Sequence, residues 1–426
     1  MSKPALEVMK RDLTSEHGFS TSWPKYIMPA MAPGPDLDAI NRRAIEVYVA
    51  EMATLRTRGT TKVGLAEWSR RMMVTSTSEA VWGPANPFRD PAVVDAWKTF
   101  EAGFLTLAMF PLASIFFRKL HTAREVAAAA FAKYMRAGGY KTGSGLVRKR
   151  VEHHADLFGL SLDDVGRGEL GNAFAVLGNT TPCAFWVLYH ILTDERVLAD
   201  IRRELLALVR EEGVDEDGNP VSAIDLAAVR EACPVLLSTF QETLRFRAVN
   251  VGARVLLEDV SLDEGRVLLK KGAMLMIPAV VQHSDKAAWG DDVEEFDHLR
   301  FVPASVSAAV EGEAGKTRRK PNRIAFRAFG GGHVLCPGRH FASAEILSLA
   351  ALLVLQFDVV PVAGRWVEPT WENSPAQAGF PVIDEDIHVK LRPRDPKRKW
   401  RVVYSGTDKA MDIVSEDIAA GGRGAF

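Results

Sequence analysis

One cysteine in this chain stands where a sulfur could do chemistry. It lies in FRAFGGGHVLCPGRHFASAEI, Phe326–Ile346, between a glycine cluster and the opening of an apolar helix. On its own, Cys336 reads as a small buried hydrophobe, as most unpaired cysteines are. Its neighbours change that balance. Gly330, Gly331 and Gly332 permit a tight loop and close approach of backbone to something flat. Pro337 suits a first helical position, where its missing N–H goes unused. Cys336 is therefore expected at a helix N-terminus, where free N–H groups and the helix dipole favour a thiolate. Such a sulfur could be a nucleophile or a metal ligand. No second cysteine or ligand-spaced histidine nearby suggests tetrahedral zinc. A metal held by one protein thiolate needs its other ligands from a cofactor, and haem supplies four.

Two further groups of residues carry chemical interest. Glu242 and Arg245, in QETLRFR, share one helical face. Such a pair is usually a solvated ion pair worth little, but the helix around it is apolar and Arg300 follows in EEFDHLRF. In AFAVLGNTTPCAFWVL, Ala173–Leu188, the residues Asn179, Thr180 and Pro182 interrupt an apolar run. Threonines there could simply bond their own helix carbonyls. Pro182 cannot donate to the Gly178 carbonyl, so an opening beside Thr180 could hold water.

The elements that must position these residues are mostly helical. Apolar spacing predicts helices over Leu37–Leu55, Leu65–Val81, Ala123–Met135, Leu170–His190, Glu195–Glu211, Val221–Phe246 (with a kink at Pro234) and His340–Phe357. Gly138–Gly145 is a break and Asp215–Pro220 a loop. Between Val251 and Val281, short alternating runs broken by Asp-Glu-Gly and Lys-Gly read as small antiparallel hairpins. Short strands follow Val360. Phe104–Phe117, FLTLAMFPLASIFF, is too short for a bilayer span and contains Pro111. It could be core, line a lipophilic pocket, or dip into a membrane face. The fold class is mainly α with small antiparallel β sheets. One domain over 1–407 with a polar, glycine-rich tail at 408–426 is expected.

Composition sets outer limits. The 426 residues are 47% hydrophobic and carry a formal net charge of -1, which gives no global field for nucleic acid. Three cysteines, Cys183, Cys233 and Cys336, are too few for a disulfide scaffold. No N-terminal apolar run is long enough for a signal peptide or spanning helix.

The run Phe329-Gly330-Gly331-Gly332-His333-Val334-Leu335-Cys336-Pro337-Gly338-Arg339 resembles the haem-binding loop of cytochrome P450 enzymes. Phe329, Gly332, Cys336 and Gly338 match that pattern. The resemblance implies a cytochrome P450 fold, heme b (iron-protoporphyrin IX), and Cys336 as axial ligand to its iron. Phe329 would pack near the sulfur, and Gly332 and Gly338 would allow the porphyrin close. Many family members place Arg or His two residues before the cysteine to meet a propionate; here Val334 stands there, leaving His333 and Arg339 to compensate. Glu242, Arg245 and Arg300 resemble the family's buried ionic triad, and HSDKAAWG, His283–Gly290, resembles the sequence before that arginine.

The family's distal helix carries a threonine that guides protons toward bound dioxygen. Thr180 matches it, with Thr181 the alternative. The common preceding acid is replaced by Asn179, which can orient water but cannot relay a proton. Gly178–Trp186, Gly-Asn-Thr-x-Pro-x-x-Phe-Trp, resembles the branch holding sterol 7α-hydroxylases and prostacyclin synthases, which has fungal members.

The implied function is a monooxygenase oxidising a lipophilic substrate such as a sterol, terpenoid or other secondary metabolite. Electrons would come from NADPH through a reductase, docked by the basic clusters RRELLALVR and KLRPRDPKRKW unless these are merely solvated charge. A monomer is expected. Two rivals stand beside it: a haem-thiolate isomerase or dehydratase, and a non-catalytic, incomplete haem-binding protein. The second arises because the segment before Leu65 is short for the family, and its Trp-x-x-x-Arg haem contact is not evident near Leu37–Leu55. A full-length relative would sit on the cytosolic face of the endoplasmic reticulum membrane; this chain is expected to lack the anchor and be peripheral or soluble.

Overall fold

The structure is a computed structural model that describes residues 1–12, 15–110, 112–303, 322–406, 411, 413–414 and 417. Its helices begin and end where local chemistry dictates. Two short helices lead in, α1 (Lys3–Lys10) and α2 (Phe19–Met31). Helix α3 (Pro35–Arg58) opens on proline with Asp36 and Asp38 in its first turn. It closes with Arg56 and Arg58 before Gly59, whose φ of 71° is left-handed. After strand β1 (Thr61–Gly64), helix α4 (Leu65–Trp82) is capped from far along the chain. Both carboxylate oxygens of Asp386 accept from the N–H groups of Ala66 (2.8 Å) and Glu67 (3.0 Å).

Helix α5 (Pro91–Ala102) is followed by two short helices, α6 (Phe104–Met109) and α7 (Ala113–Phe116), and then by α8 (Arg118–Arg136). The apolar α6–α7 stretch is split in character. Phe104 stacks on Phe174 at 4.3 Å, whereas Met109, Phe110, Leu112, Ile115 and Phe116 face solvent. Those five side chains are not core; Pro111 lies outside the described residues. Helix α9 (Gly145–Val151) runs into a π-helical turn at Glu152–Leu157.

The sequence predicts one helix over Leu170–His190, but there are two, α10 (Leu162–Leu177) and α11 (Thr180–Thr193). Gly178 has weak helical propensity and Pro182 offers its carbonyl no N–H, so the axis breaks between them. Helix α12 (Glu195–Leu208) ends earlier than its expected limit at Glu211, because β2 (Arg210–Val214) begins there. A second correction follows. Part of the helix expected over Val221–Phe246 is strand β3 (Pro220–Asp225), and helix resumes as α13 (Val229–Ala232) and α14 (Pro234–Arg247). Local propensity lost to distant pairing. β3 lies between β2, antiparallel, and β10 (Lys399–Val403), parallel.

The expected hairpins are present. β4 (Val251–Val255) pairs antiparallel with β7 (Met274–Pro278), and β5 (Val260–Leu262) with β6 (Val267–Leu269). Short helices α15 (Ala279–His283) and α16 (Lys286–Trp289) follow. Helix α17 (Arg339–Gln356) is apolar nearly all round and, from His340, almost entirely buried, as a central helix must be. Strands β8 (Phe357–Pro361) and β9 (His388–Pro393) complete an antiparallel sheet in the order β1-β9-β8. The main core packs α11, α14 and α17 together, with Trp186, Phe240 and Leu352 fully buried. Within it, Ser76 and Thr77 of α4 each donate at 2.8 Å to Glu345 of α17. A second apolar cluster joins α5, α8 and α10 around Trp82, Trp97 and Phe131.

Candidate active site

The cysteine loop is closed by its own backbone. The Cys336 N–H donates to the Phe329 carbonyl at 2.9 Å, that of Gly330 to Arg327 at 3.0 Å, and that of Leu335 to Gly332 at 3.1 Å. Gly330 (φ 78°) and Gly332 (φ 60°) are left-handed, which is what the glycine cluster is for. Helix α17 starts three residues after the cysteine. Burial pushes the Cys336 thiol up; the backbone N–H groups of Gly338 and Arg339, with the charge of Arg339, pull against it. The other two cysteines have no such help. Cys183 and Cys233 are buried, and burial raises both thiols, that of Cys233 to about 12.

The residues present fit a flat group ligated by this sulfur. Of the three cysteines, Cys336 is the one whose thiol neighbouring backbone N–H groups, those of Gly338 and Arg339, lower against burial. A Cβ at Gly338 would touch the sulfur at 3.9 Å, and a Cβ at Gly332 would stand in open space. Phe329 packs against the core behind the loop. The side chain of His333 lies outside what the structure describes, so its proposed propionate contact has no geometry here; Val334 is exposed. Arg339 is engaged with the C-terminal tail and the cysteine loop. Its Nε and Nη2 donate to Asp417 at 3.0 and 2.5 Å, and its Nη1 to the Cys336 carbonyl at 3.1 Å. Asp417 is buried, yet hydrogen bonds from His340 and Arg339 hold its carboxyl down to about 2. Met411, Ile413 and Val414 of the same tail are also buried.

Glu242, Arg245 and Arg300 meet in the interior. Arg245 grips both oxygens of Glu242 at 2.7 Å, and Arg300 Nε donates to Oε1 at 3.1 Å. Remaining guanidinium N–H groups donate to the carbonyls of His283, Val293, Asp292 and Glu295 and to the Asp292 carboxylate, so the cluster is well satisfied. Its link to the cysteine loop passes through a residue that sequence reasoning did not single out. His283 accepts from Arg245 on its carbonyl (2.9 Å) and from the Arg327 N–H on Nε2 (2.8 Å). Its ring stacks on Phe326. Accepting on Nε2 places the proton on Nδ1, and burial, aided by the Arg245 charge, lowers the imidazole to about 4. The signal was its place inside HSDKAAWG.

On the distal side, Thr180 and Thr181 sit just past the helix break. Thr180 Oγ1 donates to the Val176 carbonyl at 2.8 Å and Thr181 Oγ1 to that of Leu177 at 3.1 Å. Asn179 Oδ1 accepts the N–H of Gly379 at 2.9 Å. Nothing near Asn179 in sequence announced that partner. Beside the break is a cavity of about 390 Å³, walled by Gly178, Thr181 and Phe185 of the distal helices, α4, α5 and the loop around Ala378.

Comparison with known proteins follows the same outline. The family description "Cytochrome P450" matches residues 159–389. The chain is 34% identical to the cytochrome P450 monooxygenase nodJ of Hypoxylon pulicicidum, over 94% of this chain and 76% of that protein. More distant relatives include cholesterol 7-alpha-monooxygenase of Cricetulus griseus (25% identity, 70% of this chain, 59% of that one). Another is prostacyclin synthase of Rattus norvegicus (26% identity, 57% of this chain, 48% of that one). Among solved structures, the retinoic-acid-bound cyanobacterial CYP120A1 superposes with a TM-score of 0.65 at 21% identity, over 90% of this chain and 82% of that one, a likeness of fold.

Proposed function

The chain belongs to the cytochrome P450 family, and on that footing we propose that it is a haem-thiolate monooxygenase that oxidises a lipophilic substrate of sterol, terpenoid or other secondary-metabolite kind. The observation that carries this reading is the Cys336 loop at the head of α17, closed by the Cys336 N–H on the Phe329 carbonyl at 2.9 Å and turned by the left-handed Gly330 and Gly332. Heme b, held through Cys336, would supply reductive activation of dioxygen and oxidation of a C–H bond. The chain's own residues do the rest. Gly338 and Arg339 work against the burial that raises the thiol. The Glu242–Arg245–Arg300 cluster, through His283, fixes the loop that presents it. Thr180 is the proposed proton carrier. Its hydroxyl donates to Val176, and its oxygen keeps lone pairs free to accept from water.

Electrons are proposed to come from NADPH through a reductase, to a monomeric acceptor. The basic clusters considered for docking are heavily paired: Arg202 with Asp358, Arg398 with Glu211, and Lys399 with Asp215. A donor binding there would compete with those pairs. No helix among the described residues is long and apolar enough to cross a membrane. The exposed side chains of Met109, Phe110, Leu112, Ile115 and Phe116 support peripheral contact with a membrane, proposed as the cytosolic face of the endoplasmic reticulum.

One observation favours an isomerase or dehydratase instead: the position before Thr180 holds no acid, and Asn179 is engaged with Gly379. The deciding experiment has two steps. Haem-reconstituted protein, reduced and exposed to carbon monoxide, should give a thiolate-type Soret band; a non-thiolate band would end the reading. Turnover that requires NADPH and reductase then supports the monooxygenase, and turnover without them the rival.

A further inference from the structure

The loop that contains Gly379 is held against the distal helix at two points. Asn179 Oδ1 accepts the Gly379 N–H at 2.9 Å, and Trp186 Nε1 donates to the Pro381 carbonyl at 2.7 Å. Asn179 and Trp186 are seven residues apart, two helical turns, so they lie on the same side of α11. The loop is closed at its base, where Val382 N–H donates to Ser374 Oγ at 2.9 Å. Its crest, Gly379 to Pro381, is buried. From the crest the bonding continues. The Gly379 carbonyl accepts from Val249 N–H at 2.9 Å, and the next residue, Asn250, donates from Nδ2 to the Arg327 carbonyl at 3.2 Å. Arg327 begins the turn that leads to Cys336. A short series of bonds therefore runs from the helix break, through the loop, to the cysteine loop.

The contact at Gly379 is close enough that a larger residue would displace the Asn179 carboxamide. A Cβ there would come within 2.7 Å of Asn179 Oδ1. The same loop walls the 390 Å³ cavity beside Gly178, Thr181 and Phe185.

We infer that Asn179 is a positioning residue whose carboxamide fixes the Gly379–Pro381 crest, so that Ala378 and Pro381, on either side of the bonded glycine, stand as a wall of the substrate cleft and help determine which lipophilic shapes the enzyme accepts. The inference rests on the haem-thiolate reading for its setting. It assigns Asn179 to loop placement and leaves proton movement to Thr180 and water.

The test uses three variants of the full chain. Asn179→Leu keeps the size and removes the acceptor, Asn179→Asp keeps an acceptor oxygen, and Gly379→Ala forces the contact apart. Hydrogen exchange at the Gly379 amide, which needs no haem, should quicken roughly two- to tenfold in Asn179→Leu, the range one such bond supplies. It should stay near wild type in Asn179→Asp. On haem-loaded protein, the ratio of dissociation constants for imidazole and 4-phenylimidazole, read from the Soret shift, should change in Asn179→Leu and Gly379→Ala and be restored in Asn179→Asp. Faster exchange with an unchanged ratio would overturn the selective role. Unchanged exchange would overturn the tie itself. A wild-type protein that shows no Soret shift with either probe would overturn the haem reading, and the inference with it. A variant Asn179→Asp that alters coupling or the solvent isotope effect while leaving the ratio alone would return Asn179 to proton delivery.

Discussion

Arg245 Nη1 donates to the His283 carbonyl at 2.9 Å, and His283 Nε2 accepts the Arg327 N–H at 2.8 Å. One imidazole thus carries the order of a buried ion cluster across to the cysteine loop. The cluster is built for placement: among the described residues its charges meet one another, the Asp292 carboxylate and backbone groups.

Breaking that cluster should cost both stability and haem retention. Glu242→Ala leaves two buried guanidinium groups without their shared carboxylate, at a cost on the order of 3–5 kcal/mol. Urea unfolding should shift by that amount, and the thiolate-type band of the haem-loaded variant should decay faster than in wild type. An unchanged unfolding midpoint would show that the cluster does not act as a unit.

His283 sets an acid limit. Its folded value of about 4 lies below the ordinary 6.5, so the unfolded chain binds the extra proton first. The stability it protects is complete above 6.5 and is lost as pH falls toward 4, by about 3 kcal/mol at most. His153 and His154, lowered by burial to about 4 and about 3, act in the same direction. Unfolding followed between pH 7.5 and 4 should show the decline, and His283→Gln should flatten part of it.

Glu345 predicts the opposite dependence. Burial raises its carboxyl to about 7 against an ordinary 4.5, despite the hydroxyls of Ser76 and Thr77. The stability tied to its proton is present below 4.5 and is lost as pH rises through 7, by about 3 kcal/mol. Glu345→Gln keeps an acceptor for both hydroxyls and removes the charge. It should be more stable than wild type at pH 8 and gain nothing at pH 4. A gain of equal size at both would assign the effect to packing.

Thr180→Ala should lower product formed per NADPH consumed several-fold while leaving substrate affinity near wild type. Among the described residues its hydroxyl bonds to Val176 alone, so little structure depends on it. Unchanged coupling would move the role to Thr181 or to water alone.

What could be read in the sequence was local. The cysteine loop and the Glu242–Arg245 pair sit within short stretches whose residue types report their own geometry, and the hairpins after Val251 announce themselves by their turns. What escaped was decided at long range. The β3 strand looked helical because its partner β10 begins at Lys399. The roles of Asn179 and Gly379 depend on a bond spanning 200 residues. The split of α10 from α11 was partly visible at Pro182, but periodicity on both sides concealed it. Asp417 lies in a tail whose polar composition gave no hint of a buried carboxylate gripping Arg339.

The donors directed at Cys336 Sγ are main-chain N–H groups, those of Gly338 and Arg339. Every amino acid but proline carries that group, so replacing the arginine side chain would change the local charge and leave the donor in place. Part of what opposes the burial of the sulfur is thus inherited through the path of the chain. Substitutions around the turn can therefore alter its side chains and leave that contribution intact, provided the turn survives.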